Sequence, residues 1–237
     1  LDYNRLTGLE KIKNDDIVVF NFPEGDTVVL EHQDQSYYQI VRELGRENVM
    51  QNFEIGVRPV DKQENYIKRC VAIAGNTIEI KAGELYVDGK KQNDIATKQY
   101  NYIIQTNGTE INPKIFEDLE ISITDQHLIQ PGLYIIPLSA EKAAQLKQLS
   151  NVVGITKNIR NKGDRADYIF PHDNRYNWNE DNFGPLWIPK KGSVVVLDIN
   201  TLPLYRRAIE VYEKNKVEVN GKNIFINRKQ TKTYKFK

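Results

Sequence analysis

The stretch Asn65-Tyr66-Ile67-Lys68-Arg69-Cys70-Val71-Ala72-Ile73-Ala74-Gly75-Asn76-Thr77-Ile78-Glu79-Ile80 sets a lysine among strand-forming apolar residues and then breaks at a glycine turn. Its pattern predicts strands over Tyr66 to Ile73 and Thr77 to Ile80. Side chains alternate along a strand, so Tyr66, Lys68, Cys70 and Ala72 share one face and Ile67, Arg69, Val71 and Ile73 the other. Burial decides what Lys68 can do. At its ordinary pKa of about 10.4 a lysine stays protonated near neutrality and cannot act as a base. Desolvation lowers that value and makes a lysine a general base for a hydroxyl nucleophile. The plainer reading is a lysine that rests its stem on the sheet and keeps its amine in water.

Working outward, Gly83-Glu84-Leu85-Tyr86-Val87-Asp88-Gly89 completes a hairpin, with a strand over Glu84 to Val87 and a turn at Lys81-Ala82-Gly83. Upstream, Asp15-Asp16-Ile17-Val18-Val19-Phe20-Asn21-Phe22-Pro23 places acids before an apolar strand that ends in proline. In these motifs, and in their order, the chain resembles the type I signal peptidases (leader peptidases). These are membrane-bound Ser/Lys proteases that remove signal peptides from exported proteins. That family carries Tyr-Ile-Lys-Arg, then Pro-Gly-Asp, then Gly-x-Leu-x-Val-Asn-Gly. The resemblance implies that Lys68 is the general base, that Tyr66 and Ile67 help line the substrate pockets, and that Phe20 supports the core. Asp16 reads as turn chemistry rather than catalysis.

The departures are specific. Ala74-Gly75-Asn76 stands where Pro-Gly-Asp is expected, which should loosen the turn and remove one charge. The family places its nucleophile in a Ser-Met-x-Pro segment after a membrane anchor. None of the five serines, Ser36, Ser122, Ser139, Ser150 and Ser193, has that context. By motif order the serine is expected before Leu1, and the opening Leu1-Asp2-Tyr3 suggests a piece of a longer protein that is inactive by itself. The family's last motif, Gly-Asp-Asn-Arg-x-x-Ser-x-Asp-Ser-Arg, is begun by Asp173-Asn174-Arg175-Tyr176-Asn177 but fails at Trp178, Glu180 and Asn182. That segment is either a degenerate copy or a look-alike loop, with the true motif expected beyond Lys237.

The fold class expected is mainly β, a core like that of signal peptidases and SOS-repressor proteases with a few short helices and an inserted accessory α+β domain. Residues 10–92 are expected to form the catalytic-core β subdomain and 93–237 the insertion. Further strands are predicted over Asp16 to Phe22 and Thr27 to Leu30, and a helix over Tyr37 to Gln51 that Gly45 interrupts. In the insertion, short helices are predicted at Pro113 to Leu119 and at Ala140 to Leu149, the latter capped by Ser139. A turn and strand lie between them at Ile129 to Pro137. There is also an internal echo. Lys190 to Leu197 repeats the texture of Lys13 to Phe20, Leu204-Tyr205-Arg206-Arg207 that of Tyr66-Ile67-Lys68-Arg69, and Lys216 to Val219 with Ile224 to Asn227 that of the Thr77 hairpin. Strand textures also recur by chance, so duplication stays open. In the second copy Arg206 replaces the lysine and stays charged. Thr233 to Lys237 alternates like a strand.

At 237 residues with 40% hydrophobic content, the chain can bury a substantial core. A net charge of +1 argues against a nucleic-acid surface. A single cysteine, Cys70, excludes an intrachain disulfide, and His32, His127 and His172 are too scattered for zinc spacing. No metal or cofactor is implied. No segment approaches the roughly 20 apolar residues of a membrane helix. The resemblance implies a serine endopeptidase whose partners are signal peptides of exported preproteins. It also implies attachment through an N-terminal anchor to the outer, periplasmic face of the cytoplasmic membrane. Two alternatives remain. One is a non-catalytic peptide-binding relative; the other is a self-cleaving SOS-type repressor, against which the Tyr-Ile-Lys-Arg spelling speaks.

Overall fold

A computed structural model describes residues 8, 10–93, 95 and 97–237. The Leu1-Asp2-Tyr3 opening lies outside them. The chain divides into two compact units, the first ending at Ile73 and the second running from Ala74 to Lys237. Taken together they are mainly β with several short helices, the class that the sequence predicts, and most of the strands lie in the second unit.

In the first unit, β1 (Ile17–Asn21) pairs antiparallel with β4 (Asn65–Arg69), and β2 (Thr27–Val29) with β3 (Ile55–Val57). Helices α1 (Tyr37–Leu44) and α2 (Arg46–Asn52) lie between β2 and β3 in sequence. Their apolar residues form a small core with Val29: Tyr37, Ile40 and Val49 are buried there. The single helix predicted over Tyr37 to Gln51 is therefore two. Ser36 opens α1 by accepting a hydrogen bond from the Gln39 amide, and Gly45 closes it at a φ of 82°, where a side chain would be strained. The lysine strand is also shorter than predicted, ending at Arg69 rather than Ile73. Its partner turns away first. Asp15, at φ 73°, takes the chain out of the sheet, and the ladder closes with Cys70 N–H to Asp16 O and Asp15 N–H to Cys70 O.

The second unit holds two four-stranded antiparallel sheets. The first is ordered β12-β5-β6-β7, from β5 (Thr77–Lys81), β6 (Glu84–Val87), β7 (Lys90–Lys91) and β12 (Phe183–Trp187). The second is ordered β11-β8-β10-β9, from β8 (Gln99–Thr106), β9 (His127–Gln130), β10 (Leu133–Ser139) and β11 (Val152–Lys157). Helices α3 (Pro113–Asp118) and α4 (Ala140–Leu146) complete this layer, α4 capped by Ser139 as predicted. Burial alternates along β10, and its inward residues Tyr134, Ile136 and Leu138 join Tyr102, Ile104, Phe116 and Leu146 in the largest core. Each such side chain contributes about 1.5–3 kcal/mol on burial.

Residues 158–182 cross the surface without strand or helix. Asn179 organises them from a fully buried position. Its amide nitrogen donates to Asn161 O and Asp164 O, and its oxygen accepts from the Asp181 and Asn182 amides. The chain then forms β13 (Val194–Val196), α5 (Leu202–Arg207) with a π-helical turn over Ala208–Tyr212, and a three-stranded meander. The meander is β14 (Val217–Asn220), β15 (Asn223–Ile226) and β16 (Lys229–Thr231), and β17 (Thr233–Lys235) returns to pair with β13. Here the echo divides. Leu204 to Arg207 is helix, not a counterpart of β4, because Leu202, Tyr205 and Ile209 turn one helical face into the core beside Val217 and Ile224. The hairpin part of the echo, by contrast, is real in its register: Val217 pairs with Ile226 as Ile78 pairs with Val87.

Candidate functional site

Lys68 is the fourth of the five residues of β4, opposite Val18 of β1. Directly opposed residues of an antiparallel pair share a face, so Lys68, Val18, Tyr66 and Phe20 stand together. Tyr66 stacks on Phe22 at 4.9 Å between ring centroids and meets Phe20 edge-on at 6.4 Å. The Lys68 ammonium lies 5.8 Å from the Tyr66 ring, a contact worth about 0.5–1 kcal/mol at an exposed site. Lys68 itself is exposed, and Phe20, expected in the core, is 36% exposed. On the opposite face Val19 and Ile67 are paired and are 69% and 65% exposed, with Ile17 at 57%. The structure thus brings Tyr66 and Lys68 to one face and puts Ile67 on the other.

Asp16 does the turn chemistry expected of it, since its carboxylate accepts from the Lys13 amide at 2.7 Å. Arg69 anchors the same turn by donating to Asp15 O at 2.8 Å. Three of the serines cap helical turns. Ser36 also donates to Glu24 at 2.5 Å, Ser122 accepts from Thr124 and Ser139 from Lys142. The Asp173-Asn174-Arg175 segment is likewise occupied with itself. Asp173 accepts from the Arg175 side chain at 2.7 Å, which holds its carboxyl below the usual range, while Arg175 and Tyr176 donate to the Ile199 and Asn200 carbonyls.

The turn after the lysine strand is not loosened as expected. Asn76 donates to Asp88 at 2.7 Å, and the other oxygen of Asp88 accepts from the Thr77 amide at 2.7 Å. The motif spelling has the acid at the first of these positions and the amide at the second; this chain has them exchanged. The charge that Asn76 removes is therefore returned by Asp88. The sequence reading singles out Asn76 and passes over Asp88; the contact joins them.

A second arrangement escaped the sequence reading. Glu84 receives the Tyr100 hydroxyl at 3.0 Å and the ammonium groups of Lys98 at 3.3 Å, Lys91 at 3.4 Å and Lys157 at 3.6 Å. Burial pushes its carboxyl up, but the Tyr100 hydrogen bond and the Lys98 charge outweigh burial and hold it at about 2. The Tyr100 ring carries Lys157 at 3.6 Å and Lys98 at 4.6 Å. Lysines 7 to 73 positions away in sequence give no local signal for such a cluster. Among the described residues no group of three His, Cys, Asp or Glu could hold a metal, and no helix is long and apolar enough to cross a membrane.

The chain is β-rich, with a lysine on a strand of a two-stranded sheet and a glycine-turned hairpin after it in sequence. A family model described as "Signal peptidase, peptidase S26" matches residues 2–136, more than half of the chain, and the chain belongs to that family. No curated protein and no solved structure matches it.

Proposed function

We propose that this chain is the central, extracytoplasmic part of a signal peptidase in which Lys68 is the general base of a Ser/Lys dyad. The observation that carries the reading is the family-matched segment Tyr66-Ile67-Lys68-Arg69, held as a regular strand against β1 with Lys68 opposite Val18. On this reading residues 10–92 form the catalytic-core subdomain and 93–237 an accessory insertion. The nucleophile must come from a segment other than those around the five serines of this sequence. A neutral Lys68 takes the proton of that serine as its oxygen attacks the scissile carbonyl. It then returns the proton to the leaving amine, and water releases the acyl group. Neutrality requires Lys68 to be covered, by substrate or by further chain, since desolvation is what disfavours an ammonium. Tyr66 and Ile67 line the substrate pockets, and signal peptides of exported preproteins are the substrates, cut at the outer face of the cytoplasmic membrane.

The test is processing of a preprotein by the parent protein carrying Lys68→Ala or Lys68→Arg. Both substitutions are expected to lower kcat about 10²–10⁴-fold. Near-normal processing by Lys68→Arg would rule Lys68 out as the base. The exposure of Lys68 in this chain favours one other reading, a relative that binds exported peptides without cutting them. A parent protein that binds such peptides and leaves them intact, with or without Lys68, would establish it.

A further inference from the structure

Adding 139 to each residue number carries the first hairpin onto the second. Ile78–Val87 becomes Val217–Ile226, Lys81–Glu84 becomes Asn220–Asn223 and Tyr86–Lys91 becomes Phe225–Gln230, each a pair in register. The backbone follows the same rule. Ala82, Asp88 and Gly89 have positive φ of 49°, 50° and 76°, and so do Gly221, Asn227 and Arg228 at 58°, 50° and 69°. So does the side-chain lock on the turn. Asp88 accepts from the Thr77 amide and from Asn76, whereas Asn227 accepts from the Lys216 amide at 2.9 Å and donates to Asn215 at 2.9 Å. The modules differ at the hairpin turn, where Gly83 has a φ of 77° and its counterpart Lys222 has no positive φ, and they differ at the edge. In the first, the outer edge of β5 is filled by β12, with Phe183 opposite Ile80 and Leu186 opposite Ile78. In the second, β14 pairs only with β15 among the described residues.

The Asn227 amide bonds the Lys216 carbonyl across the hairpin, so by alternation the peptide groups of Val217 and Val219 point away from β15. They occupy the places of Ile78 and Ile80, the residues that β12 meets. Arg206 reaches the Val217 carbonyl at 3.5 Å; Val219 has no backbone partner among the described residues, and its side chain is 45% exposed. We propose that the outer edge of β14, centred on Val219, accepts an extended, uncharged, apolar peptide in antiparallel orientation, as β5 accepts β12. The charges beside the edge are already matched within the chain, Arg206 by Glu210 at 2.9 Å and Lys216 by Glu218 at 2.7 Å. An uncharged strand therefore fits better than a charged one. A second copy fits worse. A two-fold axis at Glu218 sets two carboxylates opposite each other, one at Val217 needs the carbonyl that Arg206 holds, and one at Val219 sets Val217 against the turn residue Gly221 at a φ of 58°, which leaves a single bonded pair.

The experiment is a titration of the isotopically labelled 237-residue chain with a synthetic peptide of residues 182–188, which contains β12, followed through backbone amide resonances. Saturable shifts of the Val217 and Val219 amides are expected, weakened about tenfold or more by Val219→Pro. That substitution removes an N–H which the hairpin does not use. Val219→Lys, which leaves the backbone intact, is expected to weaken binding in the same direction. Shifts confined to other residues, or binding unchanged in both variants, would overturn the proposal. So would self-association without peptide that Val219→Pro abolishes, since the edge would then belong to a second copy. None of these readouts depends on proteolysis or on Lys68.

Discussion

Exchanging an acid and an amide between positions 76 and 88 keeps one charge and one hydrogen bond while altering both letters of the motif. The second module shows that two amides, Asn215 and Asn227, also hold such a turn. Asp88→Asn is therefore expected to cost under about 0.5 kcal/mol, whereas Asp88→Ala, which deprives both Thr77 and Asn76 of an acceptor, should cost about 1–2 kcal/mol. Urea midpoints at constant slope would measure this, and equal costs for the two substitutions would refute the pairing. Glu84 is the other residue whose surroundings set its behaviour. Its folded pKa of about 2 lies below the ordinary glutamate value of 4.5, so its ionised form stabilises the fold above the ordinary value. That stability is lost as pH falls through about 4.5 towards 2. Glu84→Gln should cost about 1–2 kcal/mol at neutral pH and flatten the acid limb between those values. An unchanged acid limb by thermal melts would count against the role given to Glu84.

Among elements, β12 depends on a glycine in a way that α1 and α2 do not. A Cβ on Gly184 would stand 2.6 Å from the Ile78 carbonyl, at a φ of 88°, so Gly184→Ala must displace β12 from β5 and should cost about 2–4 kcal/mol. Gly45 has a similar φ of 82° with nothing within 4 Å, so Gly45→Ala should cost only about 1 kcal/mol. Thermal unfolding of the two variants checks the ranking. The strands that sequence reading located, β1, β2, β4, β5, β6, β10 and β17, are mostly those whose apolar residues alternate or whose turns carry glycine. β12 was missed because Phe-Gly-Pro-Leu-Trp neither alternates nor looks tolerant of a ladder. α5 was misread because its likeness to Tyr-Ile-Lys-Arg outweighed the helical spacing of Leu202, Tyr205 and Ile209. The lysine site was legible through its local spelling. The Glu84 cluster was not, because its lysines come from separate elements and meet only after folding.

At the scale of the whole molecule, the open apolar face of β1 and β4 governs solution behaviour. Ile17, Val19 and Ile67 stand more than half exposed on a two-stranded sheet, and exposed apolar patches and strand edges promote association. Light scattering of this chain should show mass rising with concentration, and Val19→Lys with Ile67→Lys should suppress the rise. A strict monomer over a wide concentration range would show that this face is inert. The 158–182 crossing has a different consequence, one for divergence among relatives. With four backbone groups converging on one buried amide, a single side chain does for that segment what a ladder does for a sheet. Aspartate at position 179 would present oxygen to the Asn161 and Asp164 carbonyls, and alanine would present nothing. Asp181, Asn182, the buried Ala166 and the Asp173–Arg175 pair add further constraints, so a saturation-mutagenesis map of this region should show its deepest intolerance at position 179 and shallower columns at those positions.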